Sequence, residues 1–266
     1  MKQTTPSRRL GGRKLFYAVL LGSALISGPA FSAEGIDADA DEILKAMSKY
    51  LGGLKSFSMN ADIDLEILTQ EGQKLQFSSY STAVVERPSK LSITRKGLLA
   101  DAAFIYDGKT LTVQGKKQNV YAQVEAPGTI DDAILAYEAQ TGIAAPGADL
   151  LFADPYAVLS RGVNRAVYIG TTTIDGVECH HLAYREDDVD WQLWVQAGDT
   201  PLPMKYVITS KWQTAAPQFE IRYRDWNTSP KISADAFVFS APKGAVNLGA
   251  FTANEFGELK STAEGQ

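Results

Sequence analysis

The sequence predicts an α+β fold: one strongly curved antiparallel sheet, covered on its concave face by a few helices. Three observations carry that reading. Apolar residues alternate with a period of two through most of the chain, in short runs joined by hairpin turns. A helical period occurs only near the N-terminus and around the middle. At least nine strands therefore offer apolar faces, against two or three short helices to cover them. A curved sheet with that imbalance either closes on itself or keeps an apolar hollow.

The chain opens on an export signal, residues 1–33. Arg8, Arg9, Arg13 and Lys14 form its basic region, and Leu15 to Ile26 an apolar core of 12 residues, too short for a membrane span. Gly28 and Pro29 break the helix, and Ala30-Phe31-Ser32 fits the small-x-small rule, which puts cleavage near Ser32 or Ala33 and the protein in the periplasm. Ser7-Arg8-Arg9 leaves twin-arginine export open beside the general route, with Gly11 where that signal prefers an aromatic. No Cys follows the apolar core, which argues against a lipid-modified N-terminus. From Ile36 to Phe251 the reading is a single domain, followed by a polar tail over 252–266, expected to be mobile.

In the first helix Asp39 is the expected N-cap, with Glu42 completing a capping box, and Ile43, Leu44, Met47, Tyr50, Leu51 and Leu54 form one apolar stripe. Gly52-Gly53 ends it. The period then switches to two: Phe57, Met59, Ala61, Ile63, Leu65 and Ile67 alternate with Ser58, Asn60, Asp62, Asp64 and Glu66. Glu71-Gly72 turns the chain into a second strand through Phe77, which Pro88 ends. Further strands are predicted at 90–95, 103–106, 110–113 and 119–124, with a turn at Asp107-Gly108. A helical insert follows, capped by Thr129 with Asp132 and interrupted by Gly142 and Pro146-Gly147; Asp154-Pro155 restarts it. The second run of strands is read at 165–170, 177–184, 190–196, 204–210 and 218–226.

Little in this pattern carries chemistry. The signal holds five basic residues and no acidic one, so the net charge of −5 becomes −10 without it. Such acidity repels nucleic acid and anionic headgroups and favours solubility. The single cysteine, Cys179, reads as a small buried hydrophobe. The two histidines, His180 and His181, are adjacent in a strand and so point to opposite faces, where they cannot serve one metal or one triad. The acidic groups Asp37-Asp39-Asp41-Glu42, Asp62-Asp64-Glu66 and Glu186-Asp187-Asp188-Asp190 read as a helix cap, a solvated strand face and a loop lacking the glycine of a calcium site. No cofactor, metal or catalytic residue is expected, and the protein is not read as an enzyme. The aromatics are more informative: Trp191 and Leu193 share one strand face, and Trp212, Phe219, Tyr223 and Trp226 belong to the same C-terminal sheet, as core or as the lining of a cavity.

Several short motifs resemble the LolA/LolB-like envelope proteins. Asp107-Gly108-Lys109-Thr110-Leu111 resembles their Asp-Gly-Lys turn, and Leu202-Pro203-Met204-Lys205 their hairpin exit. Phe237-Val238-Phe239, with Pro242, Gly244 and Val246, resembles their closing strand. The helical insert around Ala153-Asp154-Pro155-Tyr156 is most similar to an uncharacterised family of predicted periplasmic proteins in that clan. The resemblance, spanning Asp39 to Val246, implies a half barrel with a lid of helices over an apolar cavity, in proteins that carry lipoproteins or bind lipid.

The expected function is a non-catalytic periplasmic binding protein for an acyl chain, lipid or lipoprotein. The expected cavity residues are Leu44, Met47 and Leu51 from the helix, and Met59, Ile63, Leu65, Phe77, Trp191 and Leu193 from the sheet. The expected partner is a hydrophobic ligand, with neither nucleic acid nor a membrane span after signal cleavage. Two alternatives stay open: an envelope protein-interaction or sensing domain without cargo, and an envelope hydrolase without a recognisable motif.

Overall fold

Most of the backbone is satisfied by antiparallel ladders between neighbours in sequence. In the computed structural model the described residues are 35–142 and 144–249, with the backbone alone of 252–253 and 259–260. The export signal, its cleavage positions and most of the tail lie outside them.

Helix α1 (Ala38–Gly53) precedes a six-strand meander: β1 (Ser56–Leu68), β2 (Lys74–Glu86), β3 (Lys90–Gly97), β4 (Asp101–Tyr106), β5 (Thr110–Gly115) and β6 (Val120–Glu125). The insert contributes α2 (Ile130–Thr141), a 3-10 turn at Ala148–Leu151 and α3 (Pro155–Leu159). A second meander follows, with β7 (Arg165–Ile174), β8 (Val177–Arg185), β9 (Val189–Gln196), β10 (Pro203–Ser210) and β11 (Gln218–Asn227). The two meanders join where β11 pairs with β1, in the register Ala61–Tyr223, Ile63–Ile221 and Leu65–Phe219. Strand β12 (Val246–Asn247) adds in parallel to β6, giving a curved, unclosed twelve-stranded sheet with edges at β12 and β7. Strands β13 (Thr252–Ala253) and β14 (Leu259–Lys260) form a separate pair.

Local chemistry accounts for most boundaries, and two differ from expectation. The N-cap of α1 is Asp37, whose carboxylate accepts from the Asp39 and Ala40 amides; Asp39 lies inside the first turn. An Asp two residues upstream is equally good capping chemistry, and its extended φ/ψ decides the matter. The segment Phe237–Phe239 is not a strand: it begins inside a turn, and the closing strand is the short β12 further on. Thr129 and Asp132 form the expected capping box on α2, and Asp154 caps α3 ahead of Pro155.

The helices divide the concave face between them. Helix α1 packs over β7 and β8, where Leu44 and Met47 are fully buried. Beneath it Tyr184 stacks on Trp191 at 3.8 Å and donates from its hydroxyl to Ala40 O at 2.9 Å. Helix α2 covers the first meander, packing toward β5 and β6, and the 3-10 turn lies against α1, α2 and α3.

Candidate functional site

Between the insert and the first meander the concave face is not filled. A cavity of about 230 Å³ lies there, open along part of its perimeter. It exceeds the ~150 Å³ of an apolar cavity that stays dry and admits benzene. Its floor is built from inward positions of β1, β2, β3, β4 and β11, and its roof from Ala133, Ile134 and Tyr137 of α2 with the segment Ala144 to Leu151.

Small side chains create the space. Ala61 on β1, Ser81 and Ala83 on β2 and Ala102 on β4 occupy inward positions in the lining. The larger residues at the rim, Phe57, Phe104 and Trp226 among them, leave the middle open. Trp226 is fixed by its indole N–H donating to Pro203 O at 3.0 Å and by Phe57 at a ring distance of 5.6 Å. The roof is anchored as well. Arg87 donates to Leu151 O at 2.7 Å, and Asp131 accepts from the Ala153 amide at 3.0 Å.

The structure places the sequence-derived candidates in two groups. Leu51, Met59, Ile63 and Leu65 line the cavity. Leu44, Met47, Trp191 and Leu193 are buried together with α1, away from the lining. Phe77 is the cross-strand partner of Leu65 but stands outside the lining. Among the residues that sequence reasoning did not single out, Arg95, Tyr137 and the small residues matter most. The recurrence of Ala and Ser at inward positions of β1, β2 and β4 is the signal that could have found the small ones.

Polar groups around the cavity are few. Among the described residues Arg95 is the only charged one in the lining. The Tyr223 hydroxyl is buried without a hydrogen-bond partner. Just behind the roof Asp149 is half-buried, and desolvation, the field of Glu138 and that of Glu186 raise its carboxyl to about 6. His181 is elsewhere, stacked on Trp194 at 4.1 Å with its Nε2 3.0 Å from Gln192 Oε1, and desolvation keeps its pKa below the ordinary value. His180 faces Tyr168, its Nδ1 3.1 Å from the hydroxyl. Cys179 is fully buried and burial pushes its thiol up. Among the described residues no group of three metal-ligating side chains converges, and no helix is long and apolar enough to cross a membrane.

The architecture is thus a curved, unclosed antiparallel sheet with a partial helical cover and an apolar hollow beneath it. The chain belongs to the family described as predicted periplasmic protein (DUF2092), whose model matches residues 40–249. It is 23% identical over 245 residues to an uncharacterised protein of Methanocaldococcus jannaschii, covering 89% of this chain and 62% of that relative's length. Among solved structures, a LolA superfamily protein from Nitrosomonas europaea shares 11% identity, with a TM-score of 0.38 over 75% of this chain and 97% of the other. The MucA/MucB complex of Pseudomonas aeruginosa contains a chain 15% identical, with a TM-score of 0.44 over 77% of this chain and 62% of that one.

Proposed function

We propose that this protein is a periplasmic binding protein that takes an acyl chain or similar lipid into the hollow between the insert and the first meander, without catalysis. The observation that carries the reading is the cavity of about 230 Å³ lined by apolar side chains on both floor and roof. Burial of an acyl chain contributes about 0.8 kcal/mol per methylene, so binding there needs few specific polar contacts. A site built for turnover needs a nucleophile, a base within reach and an orienting group. The polar side chains of the lining are Ser81, Arg95, Tyr137 and Tyr223, a set without a histidine or carboxylate to serve as the base.

Of the candidate residues, Leu51, Met59, Ile63 and Leu65 are assigned to the ligand, with Phe57, Phe104 and Trp226 beside them. Leu44, Met47, Trp191 and Leu193 are assigned to holding α1 on the second meander. The domain spanning 36–251 is taken as the binding unit. Native mass spectrometry of the protein purified from the periplasm, with lipid extraction of whatever travels with it, tests the reading. A bound mass matching a fatty acid, phospholipid or lipopeptide is expected. A protein that emerges empty and ignores added lipids would sink it and favour a protein partner.

A further inference from the structure

The charge inside the hollow narrows the ligand further. Arg95 stands on β3 two residues beyond Ile93 and four beyond Leu91, and alternation puts all three on the inward face, where all three line the cavity. Its cross-strand partners are Ser81 on β2 and Ala102 on β4, both small and neither acidic. Its Nε donates to Ser79 Oγ at 2.9 Å, and no carboxylate pairs with it among the described residues. Three other arginines on the sheet behave differently: Arg185 pairs with Asp190, Arg222 with Asp175 and Arg224 with Asp62.

An arginine is costly to desolvate and is ordinarily compensated where it is buried. Burial does lower the pKa of Arg95, which marks poor solvation of the guanidinium, and Tyr137 of α2 lies close to it. The transverse row that holds Arg95 runs through Ser81 and Ala61 to Tyr223, so small side chains separate the guanidinium from an unpartnered buried hydroxyl. The row carries hydrogen-bond donors and, among the described residues, no anion, within a lining that is otherwise largely apolar.

We propose that Arg95 is the headgroup anchor of this hollow, and that the ligand is an acyl chain ending in an oxyanion, a carboxylate or a phosphate. This rests on the reading of the hollow as an acyl-chain site. The planar guanidinium matches either oxyanion in a bidentate pair, and the low-dielectric surroundings strengthen that pair relative to water. An uncharged head would leave the cation uncompensated inside the trough.

The test compares three ligands of one chain length, dodecanoate, dodecyl phosphate and dodecanol, by equilibrium titration of the purified protein. The two oxyanions are expected to bind about ten-fold or more tightly than the alcohol, as a charge-assisted pair requires. Arg95→Gln is expected to remove that preference, and Arg95→Lys to keep part of it. The ratio of dodecanoate to dodecyl phosphate then identifies the headgroup. Equal affinity of all three for the unmodified protein overturns the headgroup assignment and leaves the acyl-chain reading standing. Equal loss of all three in Arg95→Gln also overturns it, and an unfolding midpoint measured beside each variant separates that loss from misfolding. Failure of all three to bind the unmodified protein overturns both readings together.

Discussion

Asp149 shows how one side chain can carry a pH dependence into this fold. Its carboxyl sits in the 3-10 turn that roofs the hollow, against the Tyr206 hydroxyl and near Glu138, Glu186 and Tyr223. Desolvation raises its pKa to about 6 from an ordinary 3.8. The folded state therefore holds the proton more tightly than the unfolded chain. Its contribution to stability is complete below about pH 4 and is lost as pH rises through about 6, at a cost of ~3 kcal/mol. Asp149→Asn should remove that loss. Relative to the unmodified protein, the variant's unfolding free energy should rise by ~2 kcal/mol or more between pH 4 and pH 7.5. A difference that stays constant across this range, measured by denaturant titration at each pH, would refute the assignment. Trp191 makes a different point at the same scale. It is 2% exposed, stacks on Tyr184 and donates its indole N–H to Glu186 at 2.8 Å, so it supports the packing under α1 and not the hollow.

At the scale of elements, the consequential junction is between the end of α1 and the insert. Gly52 and Gly53 look alike in sequence, two helix-weakening residues at a C-terminus. Their surroundings differ. A Cβ at Gly52 would stand 2.6 Å from Ala153 O, closer than side chains approach a backbone oxygen, whereas one at Gly53 would meet nothing within 4 Å. Gly52 thus lets the insert lie against α1, and Gly53 only lowers helix propensity. Gly52→Ala should destabilise the protein by about 1–3 kcal/mol through overpacking, and Gly53→Ala should stabilise it by up to ~1 kcal/mol. Thermal unfolding of the pair checks both signs, and equal effects would contradict the close approach. Gly147 has a related role in the roof: at φ +83° it takes a backbone conformation that suits glycine, directly over Ile221 of β11.

The whole molecule is a twelve-stranded sheet whose cover is unequal. Helix α1 fills the concave side of the second meander, and α2 with the 3-10 turn spans the first without filling it. Ordinarily a void of this size is destabilising, because lining atoms lose contacts that a filled core supplies. Filling it with protein should therefore be tolerated while removing the ligand's space. Ala102→Leu places a larger side chain on the floor of the hollow, where Ala102 is 3% exposed. Its unfolding midpoint should hold or rise, and its affinity for dodecanoate should fall by about ten-fold or more. Unchanged affinity would move the ligand, if any, away from this hollow.

The amino-acid order by itself determined the fold class, the number and direction of the long strands, and nearly all their turns. These are local properties: alternation sets which face of a strand is apolar, and Gly, Pro, Asp and Thr set where the chain turns or a helix begins. Even the one shifted cap, Asp37 for Asp39, moved within a run of acceptable capping residues. Alternation does not say what lies across from an apolar face. Trp191 and Trp226 are both inward aromatics of the second meander, yet one packs with the elements beneath α1 and the other borders the hollow. That was decided by the β1–β11 pairing, between residues far apart in the chain, and by which helix came to rest on which meander. The same pairing and packing brought Arg95 and Tyr223 into one row. Shared inward position was readable from sequence, but whether the space above it was filled or empty depended on the tertiary packing of the helices.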